Sequence, residues 1–215
     1  MPELGWVSVS VELAISSSRI YGSVCIVDCK TVKRVNELNL TADVLRALCS
    51  SRWAIPVLAL LSRESGSRFA VIERRFGLSR HSLTRTLAHL REQGWVMPNP
   101  GHGHPLRPEY VLTHAGTVIG AACVRIDDAR TRLGLEAPDL SRWTLPVAGG
   151  LGDDWTRFGC LQARLNPVTP RALSLTLQAM IGQDLVQRRL EDRFPPVPLY
   201  GLTGRGEELA AAVAV

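Results

Sequence analysis

Arg80, His81, Thr84 and Arg85 bring two guanidinium groups, an imidazole and a hydroxyl into one short stretch, with Ala88 one turn further on. These side-chain types reach phosphate oxygens and guanine edges when a helix lies in the major groove of a duplex. The chemistry they offer is recognition of a polyanion. To share a surface they need residues 79–91 to be helical, and the sequence supplies the signals. Ser79 is of the N-cap type, Leu83, Leu87 and Leu90 recur at i, i+4 and i+7, and Gly94 follows the last periodic residue as a stop. The leucine stripe must be buried, which leaves the basic face outward. A solvated amphipathic helix carries the same pattern, so the surroundings decide between the two.

Composition sets the frame for that decision. The chain has 215 residues, 46% of them apolar and 21% charged, enough for one large domain or two small ones. Its 18 glycines and 13 prolines argue against a purely helical bundle. A net charge of +5 and a pI near 9.3 favour a polyanionic partner. Cys25, Cys29, Cys49, Cys123 and Cys160 are an odd, scattered set that fits a reducing compartment. No apolar run approaches the roughly 18 residues of a membrane span, and the start lacks the basic-then-apolar order of a secretory signal. The expectation is a cytoplasmic protein with no membrane partner.

Along the chain, residues 1–39 stand apart as a leader. Trp6 to Val11 alternates with a strand-like period and Ile20 to Val27 is a second β-prone run, compatible with a small hairpin, a disordered leader, or sequence upstream of the biological start. From Leu40 the texture turns helical. Thr41 caps a run carrying Val44, Leu45 and Leu48; a second helix spans Trp53 to Leu61 with Pro56 in its first turn; a short helix spans Phe69 to Phe76, with Gly77 as the turn into the basic helix. Helix, short turn and longer helix read as a helix-turn-helix. Trp95-Val96-Met97 and Tyr110-Val111-Leu112 flank a Gly/His/Pro-rich tip and read as a two-stranded wing. Thr113 then caps a long helix whose stripe is expected to include Val118, Ile119, Ala122, Ile126 and Leu133.

This whole pattern recurs about 90 positions later. Ser51-Arg52-Trp53 returns as Ser141-Arg142-Trp143, Pro56-Val57 as Pro146-Val147, and Arg68-Phe69 as Arg157-Phe158. Leu83 and Thr86-Leu87 return as Leu173 and Thr176-Leu177, Val96 as Val186, and Pro108, Tyr110, Leu112-Thr113 and Gly116 as Pro198, Tyr200, Leu202-Thr203 and Gly206. Such matches, mostly core and turn residues, are what two copies of one fold must share. The expected fold class is mainly α with small β wings: two tandem winged helix-turn-helix domains over 40–134 and 135–215, joined near 135–139.

These residues resemble the HxlR-type family of bacterial winged-helix transcription regulators, a branch close to the MarR-like regulators. The basic-Trp pair before an apolar helix is similar to Arg52-Trp53 and Arg142-Trp143, and the Arg-Phe opening of the first motif helix to Arg68-Phe69 and Arg157-Phe158. Residues 168–177 resemble the family's recognition helix, 184–188 the strand after it, and 195–203 the returning wing strand and the cap of the last helix. The resemblance implies a double-stranded-DNA-binding regulator, a repressor by default, with no cofactor and a small-molecule effector left unidentified. Family members are usually single-copy chains that dimerise through their first and last helices; this chain holds both copies, so a monomeric pseudo-dimer or a homodimer is implied. Thiol-sensing members carry a cysteine at the start of the first helix. That place falls at Leu40 and near Arg130 here, and Cys49 lies nine residues past Leu40 among core positions.

The copies are unequal. Arg80, His81, Thr84 and Arg85 are replaced by Pro170, Arg171, Ser174 and Leu175, so copy two should read DNA more weakly. Ser79 with that first set, and Thr169, Arg171, Ser174 and Gln178 in the second, are the candidate helix contacts. Arg107 in the first wing and Arg188, Arg189 and Arg193 in the second are candidate phosphate contacts, alongside the reading of a solvated charged hairpin. His102-Gly103-His104 and Cys25/Cys29 have metal-like spacing without further ligands, so a polar tip and incidental thiols are preferred. Trp53 and Trp143, repeated at one position, read as packing anchors. No Gly-x-Ser-x-Gly elbow, phosphate loop, dinucleotide fingerprint or zinc-protease motif frames a catalytic residue, and no enzyme is expected. A winged-helix protein-interaction module is the alternative, which an outward Leu175 permits.

Overall fold

The computed structural model describes residues 40–99, 109–152, 154–191, 194 and 196–214. The chain divides into units Met1–Arg34 and Val35–Val215, and every described residue lies in the second. The leader, the His102/His104 tip, Cys25 and Cys29 therefore lie outside the described residues.

Thr41 accepts a hydrogen bond from the Val44 amide through its hydroxyl and starts helix α1, Ala42–Leu48. Helix α2, Ala54–Glu64, buries every residue from Ala54 to Leu61, as an element apolar all round must. Pro56 sits in its first turn, where no intrahelical amide is needed. Strand β1, Ser67–Arg68, leads directly into α3, Phe69–Phe76. Gly77 then takes a left-handed φ of 60° and its amide donates to the Glu73 carbonyl, turning the chain into α4, Arg80–Glu92. Strands β2, Val96–Pro98, and β3, Glu109–Leu112, form the wing, and α5, His114–Arg132, follows. The antiparallel sheet has the order β1-β3-β2, with Ser67 opposite Tyr110 and Val96 opposite Leu112.

A 3-10 turn at Ala137–Asp139 opens the second series: α6 (Thr144–Leu151), β4 (Thr156–Arg157), α7 (Phe158–Arg164), α8 (Pro170–Gly182), β5 (Val186–Glu191), β6 (Val197–Leu202) and α9 (Gly204–Val213). Its sheet order, β4-β6-β5, repeats the first. These are two winged helix-turn-helix domains. The positions that would repeat α1 fall in the end of α5 and the 3-10 turn, so copy two has no separate first helix.

The strongest repeat in detail is the entry to each last helix. Thr113 donates its amide to the Trp95 carbonyl (3.0 Å) and its hydroxyl to the Gly94 carbonyl (2.6 Å), and accepts from the Gly116 amide (2.9 Å). Thr203 does the same with Leu185 (3.1 Å), Asp184 (2.6 Å) and Gly206 (3.1 Å). A Cβ on Gly116 would lie 1.8 Å from the Trp95 oxygen, and one on Gly206 1.9 Å from the Leu185 oxygen. Glycine is required at both because the wing strand's backbone crosses over the helix's first turn.

One core runs through both series, from Leu45 and Leu58 through Ile126 to Leu145, Leu177 and Leu209. Helix α5 packs on α2 and on α9, while α6 packs on α1 and α9. Arg63 on α2 pairs with Asp127 (3.2 Å) and Asp128 (2.6 Å) of α5. Arg132 pairs with Glu208 of α9 (2.7 Å), and Arg205 donates to the Leu133 carbonyl (2.8 Å).

Three sequence expectations are corrected. Val118 is 42% exposed, because α5 buries a stripe of small residues, Gly116, Gly120 and Cys123, instead. The first wing strand begins at Val96, since the Trp95 amide still closes the end of α4 on the Leu90 carbonyl (3.0 Å). The segment 135–139, by contrast, carries no correction: Leu135 and Ala137 are buried there, and Arg130 donates to the Leu135 carbonyl (2.7 Å). Each wing also gains a two-residue strand, β1 or β4, absent from the sequence reading.

Candidate nucleic-acid interface

Leu83, Thr86, Leu87 and Leu90 point α4 into the core, which leaves Arg80, His81, Thr84, Arg85 and Ala88 exposed together. Ser79 is spent on the helix end, its hydroxyl accepting from the Ser82 amide (3.2 Å) and donating to the Ser82 hydroxyl (3.0 Å). Arg80 lies over the Phe69 ring (5.8 Å to the centroid), a cation–π contact that ties the start of α4 to α3. Arg85 forms no ion pair among the described residues, so its guanidinium keeps its donors for a partner. A planar five-donor fork on an exposed helix suits bidentate contact with guanine or phosphate.

The matching surface of α8 is poorer in charge. Thr169 caps the helix by accepting from the Ala172 amide (3.2 Å); Arg171 and Gln178 are exposed, and Ser174 is only half-exposed. Leu175 stands where Arg85 stands in copy one, 57% exposed. On β5, Arg188 is exposed, and Arg189 lies 4.0 Å from the Trp155 ring centroid. Trp155 in turn lies over Gly201, where a Cβ would come within 3.1 Å of the ring. The aromatic platform holds Arg189 along the wing, a pairing that sequence reasoning missed because its residues come together only across β6, through the β4–β6 and β5–β6 registers. Glu191, instead of facing a ligand, pairs with Arg157 (2.8 Å). Arg107 and Arg193 lie outside the described residues.

Trp53 and Trp143 are both half-buried at the starts of α2 and α6. Trp53 leans on Phe76 (centroids 6.0 Å apart) and Trp143 lies under Arg46 (5.8 Å), which fits packing anchors. Cys49 and Cys123 are buried free thiols, and burial pushes the Cys49 thiol up to about 12 and that of Cys123 higher still. Both stay neutral, with none of the thiolate character a sensor needs, whereas Cys160 is exposed. No helix among the described residues is long and apolar enough to cross a membrane, and none of their His, Cys, Asp and Glu side chains group as a metal site.

Two winged helix-turn-helix domains, the first with an exposed basic helix face, are the architecture of the helix-turn-helix regulators of transcription. In comparison with known families, residues 51–103 match the MarR family and residues 140–215 match the HxlR-like helix-turn-helix. Both are families of DNA-binding transcription regulators, not enzymes. A solved structure described as a putative transcriptional regulator of the MarR family from Porphyromonas gingivalis W83 is 19% identical, covering 41% of this chain and 80% of its own, with a TM-score of 0.34. No curated protein sequence matches the chain.

Proposed function

We propose that this chain is a sequence-specific repressor of the cytoplasm, with domains at 40–134 and 135–215 that grip one double-stranded operator as an intramolecular pseudo-dimer. The observation that carries this reading is the inequality of the two recognition helices: α4 exposes Arg80, His81, Thr84 and Arg85, and α8 exposes Arg171, Leu175 and Gln178. Copy one then supplies base readout, and copy two supplies positioning through Thr169, Arg171, Ser174, Gln178, Arg188, Arg189 and Arg193, with Arg107 serving the first wing. The α5–α9 contacts give copy two's last helix the partner that a second subunit gives in single-copy regulators. Repression follows from steric exclusion of polymerase.

Two measurements test the reading. Arg85→Ala is expected to weaken specific binding by about 1 to 3 kcal/mol, while Arg188→Ala lowers affinity evenly across sequences. Equal losses on operator and random duplex for both variants would remove Arg85 from base reading. Symmetric dimers favour palindromic sites; unlike helices in one chain favour an asymmetric one. Light scattering should therefore find one chain per duplex. Two chains on a palindromic footprint would reject the pseudo-dimer.

A protein-interaction module has one specific observation in its favour, the exposed Leu175, Leu190 and Phe194 of copy two. Such a module binds duplex DNA with little salt dependence, whereas phosphate contacts make affinity fall steeply as salt rises.

A further inference from the structure

Between the start of α2 and the inner edge of α4 lies a hollow of about 300 Å³, lined by Ser50, Ser51, Arg52, Trp53, Ser82, Arg85, Thr86 and His89. Two guanidiniums and four hydroxyls converge on it, and no carboxylate lines it. Among the described residues neither Arg52 nor Arg85 has an ion-pair partner. Arg52 lies over the Trp53 ring, 5.1 Å from its centroid, which holds its charge at the rim. The floor is pinned by bonds between the two segments, Ser51 Oγ to Thr86 Oγ1 at 3.1 Å and Ser50 Oγ to His89 Nε2 at 3.0 Å, and within α4 by Thr86 Oγ1 donating to the Ser82 carbonyl at 3.0 Å.

Copy two shows what this place looks like when it is only structural. Ser51, Arg52, Trp53 and Thr86 recur as Ser141, Arg142, Trp143 and Thr176, and Ser141 bonds Thr144 instead (2.8 Å). Ser50, Ser82, Arg85 and His89 become Leu140, Ala172, Leu175 and Ala179. Copy two keeps one guanidinium, Arg142, with the residues that pack; it lacks the second guanidinium, the Ser82 hydroxyl and the polar wall of Ser50 and His89.

We propose that this hollow is an oxyanion site of the phosphate class, built in copy one alone, with Arg52 and Arg85 as its charged donors and the Ser82 hydroxyl completing it, while Ser50 and His89 fix its wall through the Ala47 carbonyl (2.7 and 3.0 Å). Two sources present that chemistry: a backbone phosphate of the bound duplex, which rests on the DNA-binding reading, and a free phosphate-like anion, which does not. Charge-assisted hydrogen bonds from paired guanidiniums suit either.

The full-length chain is titrated with sodium phosphate against sodium chloride at equal ionic strength, following the side-chain Nε–H signals of its arginines. Duplex affinity is then measured across salt for the parent, Arg52→Gln and Arg142→Gln. Phosphate-specific shifts of Arg52 and Arg85, without Arg142, support the site with a free anion as occupant. Without such shifts, a salt slope made shallower by about 0.9 in Arg52→Gln but not in Arg142→Gln supports a backbone phosphate, that being the loss of one contact. The absence of both results in a chain that still binds duplex overturns the site and leaves the DNA reading standing. A chain that binds no duplex yet shows the phosphate shifts overturns the DNA reading and leaves the site.

Discussion

Replacing Gly116 with alanine is expected to lower stability by about 3 kcal/mol or more, near the upper end for inserting a methyl group into packed structure. The added Cβ would fall 1.8 Å from the Trp95 carbonyl oxygen, and that oxygen is no flexible side-chain end. It accepts the Thr113 amide, and Thr113 itself caps α5 and bonds the Gly94 carbonyl. Relief must therefore come from pulling the wing off the helix or from undoing the cap. For a chain of this size that loss lowers the melting temperature by roughly 6 to 12 °C. Gly206→Ala should behave alike, because Leu185 stands in the place of Trp95. Gly149→Ala makes the opposite-signed control: it is exposed within α6, its Cβ would meet only Val213 Cγ1 at an ordinary 3.8 Å, and alanine favours helix by about 0.5 to 1 kcal/mol. Thermal melts of the three variants decide, and a Gly116→Ala protein that melts with the parent would refute the close crossing.

Thr169, read only as a DNA contact, also caps its helix, whereas the caps at Thr41, Ser79, Thr113 and Thr203 were legible in the sequence because each completes its bond within three residues. So were the leucines of α4 and α8, which announce themselves by period. What failed depends on distance along the chain. Strands β1 and β4 have two residues each and no period, and they exist because β3 and β6 offer an edge. The inner face of α5 was misjudged because hydrophobicity points to the large Val118. A close helix contact selects small residues: a Cβ on Gly120 would come within 2.8 Å of Leu112 and 3.2 Å of Ser62. In the candidate site, the outward set of α4 followed from its leucine stripe alone. The Trp155 platform under Arg189 and the hollow beside Arg52 did not, since each joins residues more than 30 positions apart.

Leu87→Ala and Leu177→Ala are each expected to cost about 2 to 5 kcal/mol, the lost burial plus a residual cavity. Both side chains are 2% exposed and hold the recognition helices α4 and α8 to the core. The continuous core adds a consequence that two beads on a string would not share. Helix α5 packs on α2 of the first series and α9 of the second, and buried residues connect Leu87 to Leu177 without a break at the joint. Opening one copy exposes the face of α5 or α6 on which the other rests. Each variant should therefore shift a single transition instead of splitting the melt in two, with probes in either copy reporting the same midpoint. The functional readouts should still differ. At a temperature where both variants remain folded, loosening α4 disturbs Arg80, His81, Thr84 and Arg85, while loosening α8 disturbs a surface with Arg171 as its one charge. Leu87→Ala should thus lose more operator affinity than Leu177→Ala at equal loss of stability. Two separated transitions in either variant would show that the copies fold independently, and parent-like melting of either would mean that its helix faces the other way.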